Sequence, residues 1–177
     1  FVVTGSGDNS IILWDAIYGK QIRNFNHHFK RINSLSYSHN GKTILSTSND
    51  NTAKLINVET GDLIHSFQLK NTVIANAYFS SDDQKIIILD DRDGFSIWSS
   101  MDGELLGKYK KNHSRTNEAN LLSPDGTKVL SKVNWKTVAC MKLSTNDTLF
   151  TMDFDKAYTM SFSQNGKFIV IGSSKLF

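Results

Sequence analysis

The chain has 177 residues, 39% of them hydrophobic, which is enough to bury a sizeable core. Twenty basic against 17 acidic residues leave a net charge of +3 with no long block of either sign, too little to argue for nucleic acid. Apolar runs such as Ile86-Ile87-Ile88-Leu89 are far shorter than the roughly 20 residues that cross a bilayer, so no membrane span is expected. Cys140 is alone and cannot close an internal disulfide, which favours an intracellular setting, cytoplasm or nucleus.

Phe1-Val2-Val3-Thr4 already reads as a strand, with no leader before it, so the chain is expected to be cut from a longer protein. Turn signals then recur: Ser38-His39-Asn40-Gly41, Ser80-Ser81-Asp82-Asp83, Ser123-Pro124-Asp125-Gly126 and Ser163-Gln164-Asn165-Gly166, their last residues 42, 43 and 40 positions apart. Trp14-Asp15, Ile56-Asn57, Trp98-Ser99 and Cys140-Met141 follow at intervals of 42, and Gly19, Gly61 and Gly103 each sit five residues beyond their marker. Three marker series sharing one period indicate a structural repeat. Between the markers run short β-branched and aromatic segments, in the clearest unit Ile32 to Tyr37, Thr43 to Thr47, Thr52 to Asn57 and Leu63 to Leu69. No segment holds a helical period with caps. Four short antiparallel strands per unit make one blade, apolar on both faces, that has to stack on a neighbour.

Gly5-Ser6-Gly7-Asp8 with Trp14-Asp15, Asn26-His27-His28, Ser48-Asn49-Asp50 and Ser123-Pro124-Asp125-Gly126 make these units resemble WD40 repeats across essentially the whole chain. The resemblance implies an all-β propeller of about four four-stranded antiparallel blades, with repeat units near 1–24, 25–66, 67–109, 110–151 and 152–177. It further implies an incomplete arc of a seven-bladed ring, whose missing blades belong to the same parent chain; a self-closed ring of four blades is the alternative. It also implies a buried network of His, Ser or Thr, Asp and Trp in each blade. The second unit supplies His28, Ser48 and Asp50 but has Ile56 at the Trp position. Ser6, Asp8 and Trp14 stand in the first, Trp98 alone in the third, and His113 in the fourth, which has Cys140 at the Trp position. With no complete network, the blades are expected to depend on apolar packing.

In this family the loops from outermost to innermost strand open on the top face, where peptides bind. The candidate binding residues there are His27, Lys30 and Arg31 in one loop and Lys110, Lys111 and Arg115 in another, suited to an acidic or phosphorylated segment. The plainer alternative is solvated loop charge, with Asp8, Asp50, Asp91 and Asp93 adding acid to the same face. Asp90-Asp91-Arg92-Asp93-Gly94 lacks the ligand spacing of a calcium loop and reads as a turn, so no metal and no cofactor are expected. Cys140 reads as a small buried hydrophobe, and Asp153 with Asp155 as a surface edge. The function these features point to is a non-catalytic scaffold that binds a protein or peptide through its top-face loops. The alternatives are an architectural propeller in a coat or multi-domain assembly, and an accessory propeller of an enzyme whose catalytic domain lies elsewhere.

Overall fold

In a computed structural model the described residues are 1–69, 72–90, 94–110, 121–142, 145, 147–163 and 165–173. They form antiparallel sheets of strands consecutive in the chain, with no helix among the described residues. The first sheet contains β1 (Val2–Gly5), β2 (Ile11–Trp14) and β3 (Gln21–Phe25). The second contains β4 (Ile32–Tyr37), β5 (Thr43–Ser48), β6 (Thr52–Asn57) and β7 (Leu63–Gln68), within one residue of the strands expected for that unit. The third contains β8 (Ile74–Phe79), β9 (Lys85–Asp90), β10 (Gly94–Ser99) and β11 (Leu105–Lys110). β12 (Leu121–Leu122), β13 (Lys128–Lys132), β14 (Thr137–Lys142) and β15 (Thr148–Asp153) form the fourth, and β16 (Ala157–Phe162) pairs with β17 (Ile169–Ser173).

The short unbroken apolar runs now have a physical explanation. Successive side chains of a strand point to opposite faces, and the middle strands of the second, third and fourth sheets have a neighbouring sheet on both sides. In β9, Ile86 and Ile88 join Leu45, Leu55 and Phe67 of the second sheet, whereas Ile87 and Leu89 join Phe95, Ile97 and Val129 on the side of the fourth. β5 divides in the same way, with Ile44 turned toward Ile11, Leu13 and Phe25 and Leu45 toward the third sheet. Leu130, Val138 and Cys140 pack on Ala157 and Met160 of the last sheet. Each blade is thus sealed by the next, and the core is a series of four interfaces between sheets.

The repeated turn signals are four copies of one hydrogen-bonded device. Ser38, Ser80, Ser123 and Ser163 each accept a backbone N–H five residues on and donate to the side chain two residues on, Asn40, Asp82, Asp125 or Asn165. That Asx side chain in turn accepts a further backbone N–H. The residue after the Trp marker works likewise: Asp15 Oδ1 accepts the N–H groups of Ile17 and Tyr18, and Asn57 Oδ1 those of Glu59 and Thr60.

Because strand direction alternates, the connections β3–β4, β5–β6, β7–β8, β13–β14 and β15–β16 open at one end of the sheets, here called the upper end. The two turn types just described lie at the lower end. There the sheets are tied to one another: His39 and Asn40 N–H groups and His39 Nδ1 meet the Asp83 carboxylate, and Ser81 Oγ donates to Pro124 O.

Candidate functional site

At the upper end of the second sheet, the turn between β5 and β6 is held by Asp50, whose Oδ1 accepts from Thr52 N and Oγ1 at 3.0 and 2.6 Å. Its Oδ2 accepts from Phe29 N at 3.1 Å and lies 2.8 Å from His28 Nδ1. His28 Nε2 lies 2.8 Å from Ser46 Oγ. A neutral ring fits this arrangement, with Nδ1–H donating to Asp50 and the Ser46 hydroxyl donating to Nε2. Burial pushes the His28 pKa below the usual imidazole value, and the Asp50 charge opposes that only in part. Burial raises Asp50, but bonds from Thr52, His28 and Phe29 outweigh it and hold the carboxyl at about 2.

The hydroxyl against the ring belongs to Ser46, not to Ser48. Ser48 Oγ instead donates to Lys30 O and accepts Asp50 N–H, so it braces the loop one step away. Residues 46 and 48 share a strand face, and alternation alone does not distinguish them. The first sheet carries the same turn without the ring: Ser6 Oγ accepts Asp8 N–H, and Asp8 Oδ1 accepts from Ser10 N and Oγ. Trp14 Nε1 donates to Thr4 Oγ1 at 2.8 Å, where Thr4 occupies the place of Ser46. In the third sheet that place is Ile88, and Trp98 Nε1 turns to Ser96 Oγ at 2.8 Å while its ring leans on Phe67.

Ser46, His28 and Asp50 reproduce the hydrogen-bond order of a Ser-His-Asp triad. Ser46 is fully buried and His28 nearly so among the described residues. This set is built to hold a turn.

Above it, Lys30 and Arg31 are exposed, next to Phe29, which is 81% exposed. His27 is committed elsewhere: its Nε2 donates to Gly61 O at 2.9 Å, and Lys54 Nζ donates to His27 O while lying 5.4 Å over the Phe29 ring. Lys111, His113 and Arg115 lie outside the described residues, as do Asp91, Arg92, Asp93 and the side chain of Lys110. Asp153 Oδ1 accepts from Thr137 Oγ1, so it serves the β14–β15 pair, while Asp155 is exposed in the loop after β15. Cys140 is fully buried against Leu130, Val138 and Ala157, and burial raises its thiol pKa.

One cluster at this end joins a repeat position, Asn134, 84 residues beyond Asp50, to aromatic residues that carry no marker. The loop 133–136 is closed by Asn134 Oδ1, which accepts the N–H groups of Lys136 and Thr137. Trp135 O and Lys136 O accept N–H groups from Ala157 and Phe154, so the β13–β14 loop is joined to the β15–β16 connection. Lys132 Nζ, buried, donates to Tyr158 O at 2.7 Å. Trp135 and Tyr158 are about half exposed, and Lys156 Nζ lies 5.5 and 5.1 Å from their ring centroids. Trp135 and Tyr158 are distant in sequence, and a lone Trp in a polar stretch gave only a faint signal.

The sequence matches the family described as the Anaphase-promoting complex subunit 4 WD40 domain over residues 9–82. It is 42% identical over 64 residues to Protein tipD of Dictyostelium discoideum, a match covering 36% of this chain and 10% of that protein. It is 32% identical over 80 residues to Retinoblastoma-binding-like protein E of the same organism, covering 45% of the chain and 15% of the relative. The WD repeat-containing protein WDS homolog of Arabidopsis thaliana is 21% identical over 181 residues, a match to 98% of the chain and 34% of the relative. The chain therefore spans a minor part of each of these relatives. Stacked four-stranded antiparallel blades, one 42-residue period and these matches together support a WD40-repeat family for the chain.

Proposed function

We propose that the chain is a protein-interaction scaffold whose upper-end loops grip a segment of acidic character. The observation that carries this reading is the unequal state of the two charges at that end. Asp8, Asp50 and Asp90 each accept backbone N–H groups of their own turns. Lys30, Arg31, Lys136 and Lys156 are exposed and form no ion pair among the described residues. The described side-chain charge left free at that end is therefore mainly cationic, with Asp155 the exposed exception, and the rigid sheets reduce the ordering cost of the loops. In this reading the blades are one arc of a larger ring inside a cell, which their small span within longer relatives supports. A relative named for binding retinoblastoma protein is consistent with a protein partner here.

The test is co-purification from cells with Lys30 and Arg31 changed to Ala in the complete protein, together with Lys110, Lys111 and Arg115. Loss of a discrete partner with the melting temperature unchanged supports the reading. Retention of every partner overturns it.

A second, architectural reading rests on Ile22, Ile64, Leu106 and Leu149, which stand exposed at equivalent places on four successive outer strands. Such a row suits a lateral contact. Partners lost on changing Ile64 and Leu106 to Ser, with the loop variant unaffected, would favour it.

A further inference from the structure

Among the exposed cations described at the upper end, one differs from the others in how it is held. Lys30 and Arg31 project without a ring or carboxylate to fix them, whereas the Lys156 ammonium is placed over two aromatic faces, 5.5 Å from Trp135 and 5.1 Å from Tyr158. Both rings are mounted rigidly. Trp135 sits in a loop closed by Asn134 and bonded through its carbonyl to Ala157 N–H, and the Tyr158 backbone is fixed by the buried Lys132. The acids nearby do not take the charge: Asp153 accepts from Thr137 Oγ1, and Asp155, adjacent in sequence, makes no ion pair with Lys156. Lys136, on the same loop, is a second exposed cation.

Aromatic faces satisfy one side of an ammonium and leave its other N–H donors to the solvent. A lysine usually loses considerable side-chain freedom when it grips an anion, and here much of that loss has already occurred on folding. We propose that Lys156, clamped by Trp135 and Tyr158, is the anchor that receives a carboxylate of an acidic peptide, with Lys136 on the adjoining 133–136 loop for a second acid. This rests on the recognition reading above and assigns its central contact. A carboxylate is favoured over a phosphate because the anchor is a single point charge, without the arginine fork or cluster that matches a dianion. An incoming cation is disfavoured because the two rings are already occupied by the chain's own ammonium, which would have to be expelled.

The experiment measures binding of fluorescein-labelled hexaglutamate to the whole chain by anisotropy at low salt, where charge contacts are least screened. A phosphoserine peptide and a trimethyl-lysine peptide of equal length are run in parallel. Lys156→Ala is expected to weaken hexaglutamate by about tenfold, as for loss of a charged hydrogen bond, and Lys156→Arg to restore most of it. Trp135→Leu keeps every charge and is expected to weaken binding by about two- to fivefold through loss of the clamp alone. Lys20→Ala, the same charge change at the lower end, is expected to have no effect.

Equal losses from Lys20→Ala and Lys156→Ala would reduce the effect to net charge and overturn the anchor, as would wild-type affinity in Trp135→Leu. So would preference for the phosphoserine or the trimethyl-lysine peptide. Hexaglutamate binding that survives Lys156→Ala but is lost in Lys30→Ala/Arg31→Ala overturns the anchor and leaves the recognition reading standing. No hexaglutamate binding by the wild type overturns the anchor, and the co-purification test then decides the broader reading separately.

Discussion

Arg23 and His65, 42 positions apart on successive outer strands, make the same contact with the blade ahead. Arg23 Nη1 and Nη2 donate to Thr60 O and Glu59 O at 3.0 Å, and His65 Nε2 donates to Met101 O at 3.0 Å. Each side chain lies over the glycine of the turn it grips. Gly61 and Gly103 have φ of +84° and +75°, and a Cβ on them would meet Arg23 at 3.0 Å and His65 at 2.9 Å. The periodic glycine thus serves the neighbouring blade as well as its own turn.

Gly103→Ala is expected to destabilise the chain by about 1–2 kcal/mol from left-handed strain, and further from the imidazole against the new methyl. In a double-mutant cycle read by urea unfolding, His65→Ala should recover the steric part and leave the strain. The same cycle with Gly61→Ala and Arg23→Ala should show weaker coupling, because the tip of an arginine moves aside more easily than a ring.

His28→Ala should cost about 2–3 kcal/mol, because it leaves the Asp50 carboxylate and the Ser46 hydroxyl short of partners in a buried site. The pH dependence has a definite sign. His28 is pushed below 6.5 in the folded chain, so the unfolded chain binds the proton first and stability falls as pH drops through 6.5. Asp50 is held at about 2, so its contribution is complete above 3.8 and is lost as pH falls toward 2. Urea midpoints should show the gap between wild type and His28→Ala narrowing from pH 7.5 to 5; a gap independent of pH would contradict the neutral ring.

Asp83 stands at a φ of +57° where the matching turns have glycine, and its carboxylate receives His39 N, His39 Nδ1 and Asn40 N at 2.8, 2.8 and 3.0 Å. Both Asp83→Ala and Asp83→Gly lose the bonds, but alanine retains the strain and glycine relieves it. The alanine variant should therefore melt below the glycine variant by about 1 kcal/mol of stability. Equal melting temperatures would show that the strain is negligible.

Cys140 stands at the tryptophan position of its repeat, and Cys140→Trp would restore the residue usual there. Leu130, Val138, Ala157 and Met160 already fill the space, and Cys140→Trp should destabilise by about 1–3 kcal/mol through overpacking. The native thiol should stay unreactive toward a disulfide reagent until the chain is unfolded in urea.

The blades are legible in the order of residues along the chain. Turn serines with their Asx partners, the residue after each Trp marker and the apolar runs act within one repeat, so a period of 42 residues exposes them. Alternation in β9 follows equally from local geometry, since adjacent side chains must face opposite sheets. Which side chains meet across repeats depends on how the sheets pack. Ser46 rather than Ser48 reaches His28 because the strand's position against the loop selects between two hydroxyls on one face. His27 was legible as a loop cation, yet its ring is committed to Gly61 O on a distant turn. Trp135, Lys156 and Tyr158 obey no period, and backbone bonds between two loops bring them together. Local hydrogen bonding is written into short stretches of chain, whereas the cation's surroundings depend on how neighbouring blades are placed.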